Sequence, residues 1–295
     1  MAVRSTSVNV YFMCRAPKIN INGRGMPTAF WKEPFLDMAR KIWAMPEEKW
    51  IDDSPRLTDT DLLEKYATMN SEFDEVNFRK EVLDAWKSKT LDLFVKELPG
   101  RARVVILGTA EQVAGLDWVL WARIFQAIEH PIGHILLYAH ESKRELPTDS
   151  SDLRACHING GFTYLCTQEI IVIYRYEEAT RVLLHELMHT ACFDREKGVE
   201  DLEAYTEAWT EVLLCALKSQ GKGRKFLSLW SQQVSWMFAQ SEYVQTKFNV
   251  RSKADYAWRY MTGKKDVLAT LGFFQGVSVS PVEALSLRFT TPKID

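Results

Sequence analysis

Two histidines lie four residues apart in the apolar stretch RVLLHELMHTACFD, residues 181–194, and a glutamate directly follows the first of them. In an α-helix, residues four apart share one face with Cβ atoms about 5–6 Å apart, so His185 and His189 can bind one metal ion. Neutral imidazole is a good ligand for zinc. Glu186 is rotated by about 100° from His185, which keeps it out of the ligand set but near the open position of the ion. The motif therefore predicts a Zn²⁺ site in which Glu186 acts as general base on zinc-bound water.

The same H-E-x-x-H pattern also occurs by chance in helices that bind no metal, so its surroundings must decide. The flanking residues here are apolar, which indicates a buried helix. Burying two histidines and a glutamate without partners would cost on the order of several kcal/mol. The surroundings therefore favour a metal site over an ordinary helix.

A catalytic zinc ion takes three protein ligands and leaves its fourth position to water. The next predicted helix contains LEAYTEAWTE, which offers Glu203, Glu207 and Glu211 at helical spacing on one face. We predict Glu207 as the third ligand, because Glu203, the alternative, falls near the helix start, where ends fray. A neighbouring glutamate on the same face can then accept a hydrogen bond from a ligating histidine. Asp194 is a further candidate, but its position on the motif helix points it away from both histidines.

Composition limits the classes of partner. The 295-residue chain is 46% apolar and 26% charged, the usual balance of a globular protein. Its formal net charge of −2 gives no electrostatic reason to expect a nucleic-acid partner. No apolar run approaches the roughly 18 residues of a membrane span, and no signal peptide is recognisable at the N-terminus. We therefore expect no nucleic acid and no membrane as partners.

The five cysteines are odd in number and form no CxxC pair, which favours free thiols in a reducing compartment over a disulfide framework. The expected location is therefore the cytoplasm, or an assembly that forms inside a cell. The cysteines are Cys14, Cys156, Cys166, Cys192 and Cys215.

The elements that must position the motif divide the chain into three regions, which we expect to pack as one globular unit. Residues 1–100 begin with a β-like segment, VNVYFM, and continue with helical patterns in EPFLDMARKIWAM, LTDTDLLEKY and NFRKEVLDAWKSKTLDLFVKEL. Residues 101–220 contain the strand patterns RVVILG, HILLYAH and FTYLCTQEIIVIYR, together with the helix LDWVLWARIFQAIEH. Residues 221–295 are mostly helical and aromatic-rich, which is typical of a core.

The motif helix opens with YEEATRVLL, whose acids we expect in its first turn, where they suit the helix dipole. It is followed by the helical pattern VEDLEAYTEAWTEVLLCALKS. The predicted fold class is therefore α+β, with a small mixed sheet whose last strand leads into the motif helix and with helices on both sides.

A motif helix followed by a glutamate-bearing helix resembles the zincin metallopeptidases, specifically their gluzincin branch. The resemblance implies a zincin-like catalytic core in residues 101–220, with His185 and His189 as zinc ligands, Glu186 as the general base and Glu207 as the glutamate ligand. A wider stretch from His157 to Leu217, which includes NGGFT and the strand end IYR, is also similar to predicted metallopeptidases of large viruses.

In zincins the edge strand of the sheet binds a peptide through main-chain hydrogen bonds. The resemblance therefore points to FTYLCT or the neighbouring EIIVIY as that strand, approached through Gly160 and Gly161, which permit close backbone contact. Several side chains can donate to a developing oxyanion, although each also fits a packing role. They are His157, Tyr205, Tyr256 and Tyr260.

The predicted function is zinc-dependent hydrolysis of peptide bonds, with a protein or peptide as substrate. Glu186 takes a proton from zinc-bound water and passes it to the leaving amine. One alternative is a structural or interaction protein, for example a virus-particle component with an unknown assembly partner, whose zinc site is structural or vestigial. Another alternative is a zinc hydrolase that acts on a substrate other than a peptide. The intact Glu186 favours an enzyme, since a structural site has no need of it.

Overall fold

The computed structural model describes residues 31–148, 152–193, 199–282, 285–292 and 294, with only the backbone for residues 199 and 200. Across these ranges the protein is a mixed α+β structure built around one six-stranded sheet, which confirms the predicted class. The predicted strand VNVYFM, Cys14 and Asp194 lie outside the described residues.

Six strands form the sheet: β1 (Ile51–Asp52), β2 (Asp92–Leu98), β3 (Ala102–Gly108), β4 (His134–Tyr138), β5 (Gly161–Thr163) and β6 (Ile170–Ile173). Their order is β1–β2–β3–β4–β6–β5. β3, β4 and β6 are parallel at the centre, whereas β1–β2, β2–β3 and β5–β6 are antiparallel pairs. The strand β5 is therefore an edge of the sheet.

Ten α-helices and one π-helix surround the sheet in the described residues. They are α1 (Glu33–Ala44), α2 (Leu57–Thr68), α3 (Phe78–Lys87), α4 (Ala110–Gly115), α5 (Trp118–Ile128), α6 (Ala155–Ile158), α7 (Ala179–Thr190), α8 (Val199–Ser219), α9 (Gly223–Lys247), the π-helix (Arg259–Gly263) and α10 (Lys264–Thr270). The motif helix is α7, and it follows β6, the last strand along the chain, as predicted.

The central strands are buried on both faces, which explains their continuous apolar sequences. In β3, Val104 and Ile106 point to a large core that also contains α1, α5, α7 and α8. The alternate residues Val105 and Leu107 point to a smaller core formed with α2 and α3. Helices therefore cover both faces, and the motif helix lies in the larger core.

The segment NFRKEVLDAWKSKTLDLFVKEL is not one helix, in contrast to the prediction. Its first half forms α3, and its second half forms β2. After α3 the residue Lys89 has φ = +64°, so the chain turns there in the left-handed region. The following residues pair with β3 along the whole of β2. This pairing outweighs the helical spacing of the leucines.

The region boundary expected near residue 100 falls inside the β2–β3 hairpin, so the preceding residues contribute two strands to the same sheet. At the other end, residues 285–292 return to the interior, where Leu287 and Phe289 are buried. Within the described ranges, no helix combines the length and apolar character needed to cross a bilayer.

Candidate metal site

The motif helix α7 lies with one side against the sheet and with its histidine face against α8. The helix begins at Ala179, directly after Glu178, which has φ = +62°. The two acids Glu177 and Glu178 therefore precede the first turn, and the expectation that they lie in it is wrong. The carboxylate of Glu178 instead accepts a hydrogen bond of 2.7 Å from the backbone N–H of Thr290.

The helices α7 and α8 meet as antiparallel neighbours with a regular register. Residues four apart lie on the same face of a helix. Because the two helices run in opposite directions, moving four residues back along α7 leads to the residue of α8 that lies four positions further on. The facing pairs are His189–Glu203, His185–Glu207 and Arg181–Glu211. One continuous interface thus carries two histidines, an arginine and three carboxylates.

Three donor atoms meet at the C-terminal end of α7: Nε2 of His185, Nε2 of His189 and Oε2 of Glu203. The two nitrogens are 2.9 Å apart, and the oxygen lies 3.3 Å from that of His185 and 3.6 Å from that of His189. Tetrahedral zinc with bonds of about 2.0–2.2 Å separates its ligands by roughly 3.3–3.6 Å. The donor types fit zinc, and only the two nitrogens must move apart by a few tenths of an ångström.

Glu207, the predicted third ligand, does not lie beside the two Nε2 atoms. Its carboxylate is ion-paired with Arg181 and lies 3.9 Å from Nζ of Lys264. Its Oε1 is 3.1 Å from Nδ1 of His185, although the two atoms are not aligned as a straight hydrogen bond. Glu207 therefore lies next to a ring nitrogen of His185, as we expected for the neighbour of the ligand, but without the expected hydrogen bond. Glu203 lies beside both Nε2 atoms instead, and α8 begins a full turn before it.

Two carboxyl groups of the cleft, those of Glu186 and Glu203, have opposite electrostatic environments. Burial raises the pKa of Glu186 to about 7, although His185 and His189 partly offset this effect. Burial also acts to raise the pKa of Glu203, but hydrogen bonds and charge from the two histidines outweigh it and hold this pKa well below its usual range. Carboxyl groups with separated pKa values can take different chemical roles in one site.

The donor atoms lie in a cleft with a volume of about 650 Å³, within the range of small-molecule and peptide sites. The strand β5 forms one wall, whereas EIIVIY is β6 and lies inside the sheet, so only the FTYLCT alternative supplies an edge strand. A Cβ atom on Gly161 would lie 2.5 Å from Cγ1 of Val182, and one on Gly160 would lie 2.1 Å from Nη2 of Arg144. Glycine at position 161 lets β5 lie directly against α7, and glycine at position 160 leaves room for the Arg144 guanidinium.

Two of the four considered oxyanion donors, Tyr256 and Tyr260, lie in the cleft wall. Their hydroxyl oxygens are 3.4 Å apart. Burial raises the pKa of Tyr256 to about 12 and that of Tyr260 well above its usual value, so both keep a proton to donate. His157 and Tyr205 lie outside the cleft lining. The Nδ1 atom of His157 accepts from the backbone N–H of Arg154, and Tyr205 stacks with other aromatic rings.

A buried ionic network lies behind the donor atoms, and the sequence patterns did not predict it. Three cations face three acids, and none of these side chains is more than 2% exposed. The network is therefore formally neutral, and its charges are paired as burial requires. Its members are Arg144, Arg181, Lys264, Glu178, Glu207 and Glu211.

Residues 285–292 close this network from one side. The Phe289 ring centroid lies 4.1 Å from Cζ of Arg181 and 5.2 Å from Nζ of Lys264, within range of cation–π attraction. The backbone N–H of Phe289 donates to Glu178 over 3.0 Å. Phe289 also lines the cleft, so this segment belongs to the wall of the site.

Cys166 and Cys192 form a disulfide bond, so the expectation of free thiols is wrong for this pair. The bond joins the loop after β5 to the residues that follow α7, with Cα atoms 4.7 Å apart. The backbone N–H groups of both cysteines donate to the carbonyl of His189, over 3.0 and 3.1 Å. Of the other cysteines in the described chain, Cys156 and Cys215 are free thiols.

One sequence signal predicts which glutamate of α8 faces which residue of α7. Arg181 lies four residues before His185 and therefore on the same face of α7. In an antiparallel helix pair, this arginine must face the acid farthest along α8, which is Glu211. The same register then places Glu203 opposite His189. No comparable signal marks Lys264, because only the tertiary fold brings α10 to this interface.

The cleft thus brings together two imidazole nitrogens, a carboxylate oxygen, a second carboxyl group and two phenols. Such a set can bind a divalent cation, move a proton and donate hydrogen bonds to a developing negative charge. Comparison of the chain with protein-family models, with curated proteins and with solved structures finds no match. A proposal of function therefore has to start from the side-chain geometry of the cleft.

Proposed function

We propose that this protein is a zinc-dependent peptidase of the gluzincin type. The main support for this proposal is that two imidazole nitrogens and a carboxylate oxygen meet in a cleft. A further carboxyl group, that of Glu186, directly follows His185 in the sequence. His185, His189 and Glu203 hold the zinc ion, and Glu186 is the general base. Glu203 takes the place predicted for Glu207, because Arg181 neutralises the latter.

The fold supports a zincin-like core in two respects. The parallel strand β6 leads into the motif helix, and the antiparallel strand β5 lies at the edge of the sheet beside that helix. A structural zinc site is closed by four protein ligands, whereas a catalytic site has three and keeps one position open. The three donors of this protein line a cleft of about 650 Å³, which favours the catalytic type over the structural-protein alternative.

A peptide fits this cleft better than a substrate of another class. The strand β5 pairs with β6 on one side only, so its other edge is available for an extended chain within the described structure. Main-chain hydrogen bonds to such an edge hold a peptide without regard to its side chains. This edge favours a peptidase over a zinc hydrolase with a non-peptide substrate.

A zinc ion held by His185, His189 and Glu203 would supply Lewis acidity toward the scissile carbonyl and toward water. Glu186 takes a proton from the attacking water and delivers it to the nitrogen of the leaving amine. The hydroxyl groups of Tyr256 and Tyr260 donate to the oxygen on which negative charge develops. Glu207, whose Oε1 lies 3.1 Å from Nδ1 of His185, orients the imidazole through the ring nitrogen that does not face Glu203.

Zinc content and hydrolysis of random hexapeptides, measured on the same preparations, test the proposal. Elemental analysis should find about one zinc ion per chain in wild type and in Glu186→Gln, and less in Glu203→Gln. Wild type should release fragments detectable by mass spectrometry, and Glu186→Gln should be slower by about 10²–10⁴-fold or more. Glu72→Gln, which removes a carboxylate of the cleft lining outside the proposed machinery, serves as the matched control.

Two results would overturn the proposal: a wild type that binds no zinc after reconstitution, or equal hydrolysis by wild type and Glu186→Gln. Zinc binding by a wild type that cleaves no peptide would support the structural or interaction protein instead. If Glu203→Gln retains zinc and Glu207→Gln loses it, the third zinc ligand is Glu207 and not Glu203.

A further inference from the structure

Four arginines line the cleft, and they differ in how their charge is compensated. Three of them are ion-paired with acids of this chain. These pairs are Arg144–Glu178, Arg154–Glu75 and Arg181–Glu207. For the fourth, Arg259, the described residues provide neither an ion pair nor a hydrogen bond, although the side chain is only partly exposed.

The guanidinium of Arg259 is held in place without an acceptor. Its Cζ lies 5.4 Å from the centroid of the Tyr256 ring, a cation–π contact that restricts its orientation. Its Nε is buried and has no hydrogen-bond partner. A buried donor that lacks an acceptor destabilises the folded state, and the penalty is larger for a charged group. A group that brings acceptor oxygens into the cleft therefore gains free energy by binding here.

The position of Arg259 ties it to the donor atoms. Arg259 begins the π-helix, a rare conformation that is frequent at functional sites. The end of the π-helix packs tightly on α8: a Cβ atom on Gly263 would lie 2.9 Å from Cβ of Ala204, the residue after Glu203. The Tyr256 and Tyr260 hydroxyls belong to the same wall of the cleft.

We propose that Arg259 binds a carboxylate of the substrate, either the C-terminal carboxylate of a peptide or the side chain of an aspartate or glutamate. A carboxylate presents two oxygens that match the fork of a guanidinium, and this pairing is among the strongest hydrogen-bonded contacts in proteins. The proposal rests on the proposed function for its choice of a peptide as the bearer of that carboxylate. It adds a preference: peptides without a carboxylate in reach of Arg259 bind weakly.

Peptide retention tests this preference separately from catalysis. Four pools of random hexapeptides are used, with a free or amidated C-terminus and with or without aspartate and glutamate. Each pool is passed over immobilised, zinc-loaded Glu186→Gln and over the same variant carrying Arg259→Gln. Loss of Arg259 should lower retention of carboxylate-bearing peptides by about 10-fold to 100-fold. It should leave the amidated pool without acidic residues unchanged.

Two further variants separate recognition from simple loss of charge or fold. Arg154→Gln removes a cleft arginine that is already paired and 63% exposed, and it should keep the carboxylate preference. Arg259→Lys should have an intermediate effect, because lysine keeps the charge but lacks the two-pronged geometry. Zinc content should be the same in all variants at position 259, and none of them should unfold at a lower temperature than the parent variant, because Arg259 has an unsatisfied buried donor.

Dependence on the free C-terminus identifies the main-chain carboxylate as the ligand, and dependence on acidic residues identifies a side chain. Equal retention of all pools, no effect of Arg259→Gln, or no retention at all would each overturn the role of Arg259. Equal cleavage of all four pools by wild type would also overturn it and would leave the peptidase standing. Arg259-dependent retention without any cleavage would keep the carboxylate site and overturn the peptidase.

Discussion

The two ends of the α7–α8 interface use similar acids but balance their charge differently. At the inner end, Glu211 lies 3.0 Å from Arg181 and 2.7 Å from Lys264. At the cleft end, Glu203 faces the imidazoles of His185 and His189. Imidazoles must be neutral to bind a metal ion, so a bound cation would supply the charge that compensates Glu203. The inner acid is paired within the protein, whereas under the proposed function the outer acid pairs with the zinc ion.

This difference shows how one helix face serves two purposes. Glu203 and Glu211 are eight residues apart, or about 12 Å along the helix. Over this distance the interface changes from a fully buried ionic network to a partly exposed set of candidate metal ligands. The inner network holds the two helices in register, and that register fixes the distances between the donor atoms at the cleft. Stability and zinc binding should therefore respond to different substitutions.

The largest effect is expected at the inner end, from Lys264→Met. The substitution removes a cation that is fully buried between Glu207 and Glu211, so uncompensated negative charge stays in the interior. The free energy of unfolding of the zinc-free protein should fall by about 3–5 kcal/mol, measured by urea denaturation. The neighbouring Lys265→Met, at a partly exposed position, should change it by less than about 1 kcal/mol. Equal stability of the two variants would show that the network is not structural.

The second-largest effect is expected from removal of the disulfide bond that follows the motif helix. Replacing both Cys166 and Cys192 with serine should lower the free energy of unfolding by about 2–4 kcal/mol, because the bond closes a loop between residues 26 apart in sequence. Urea denaturation of wild type in reducing buffer should give the same value as the double variant. The control is Cys156→Ser, which removes a free thiol. If reductant leaves the free energy of unfolding of wild type unchanged, the disulfide bond does not stabilise the protein.

Glu203→Gln should separate zinc binding from stability. We expect zinc affinity to fall by roughly 100-fold or more, equivalent to about 2.7 kcal/mol, when measured by competition with a chelating dye. The zinc-free protein should lose less stability than Glu207→Gln does, because the Glu203 side chain is 23% exposed and that of Glu207 only 2%. Glu207→Gln should show the reverse pattern, with a large loss of stability and a smaller loss of zinc affinity. Equal changes of stability and of zinc affinity in the two variants would contradict a difference in role between the two ends of the interface.

The smallest effect is expected from Gly161→Ala on β5. The added methyl group would meet Cγ1 of Val182 at 2.5 Å, so the edge strand must move away from α7. Such overpacking should lower the free energy of unfolding by about 1–3 kcal/mol. Gly223→Ala, where the nearest atom would be Cδ1 of Leu36 at an ordinary 3.7 Å, provides the control. Equal stability of both glycine variants would mean that the strand and the motif helix are not closely packed.

Sequence periodicity predicted most of the elements around the site because the apolar residues that bury each element are local in sequence. It predicted α7, α8 and the central strands, whose long apolar runs leave little ambiguity. It failed for β2, since helical spacing in LDLFVKEL competes with pairing to a strand that follows it. Partners contributed by distant elements were also beyond reach. Lys264 on α10 and the pairing of Cys166 with Cys192 depend on how the whole chain folds.

The position of Glu203 rather than Glu207 beside both Nε2 atoms was not predicted, for a different reason. Both glutamates lie on the correct face, so helix geometry alone does not separate them, and α8 begins a full turn before Glu203. The deciding fact is the register between α7 and α8, which Arg181 sets through its pairing with the inner acids. Arg181, one turn before the motif, therefore indicates which glutamate faces the histidines better than the distance of each glutamate from the helix end does.

The contribution of residues 285–292 to the cleft wall has a consequence for the timing of synthesis. Phe289 and Thr290 bind the carboxylate of Glu178 at the start of the motif helix, yet they follow His189 by a hundred residues. At roughly 5–20 residues per second, a ribosome adds them on the order of ten seconds after the histidine. We expect that a nascent chain carries the whole motif while one wall of its cleft is still missing. The cleft would then be completed only after residues 285–292 have been synthesised.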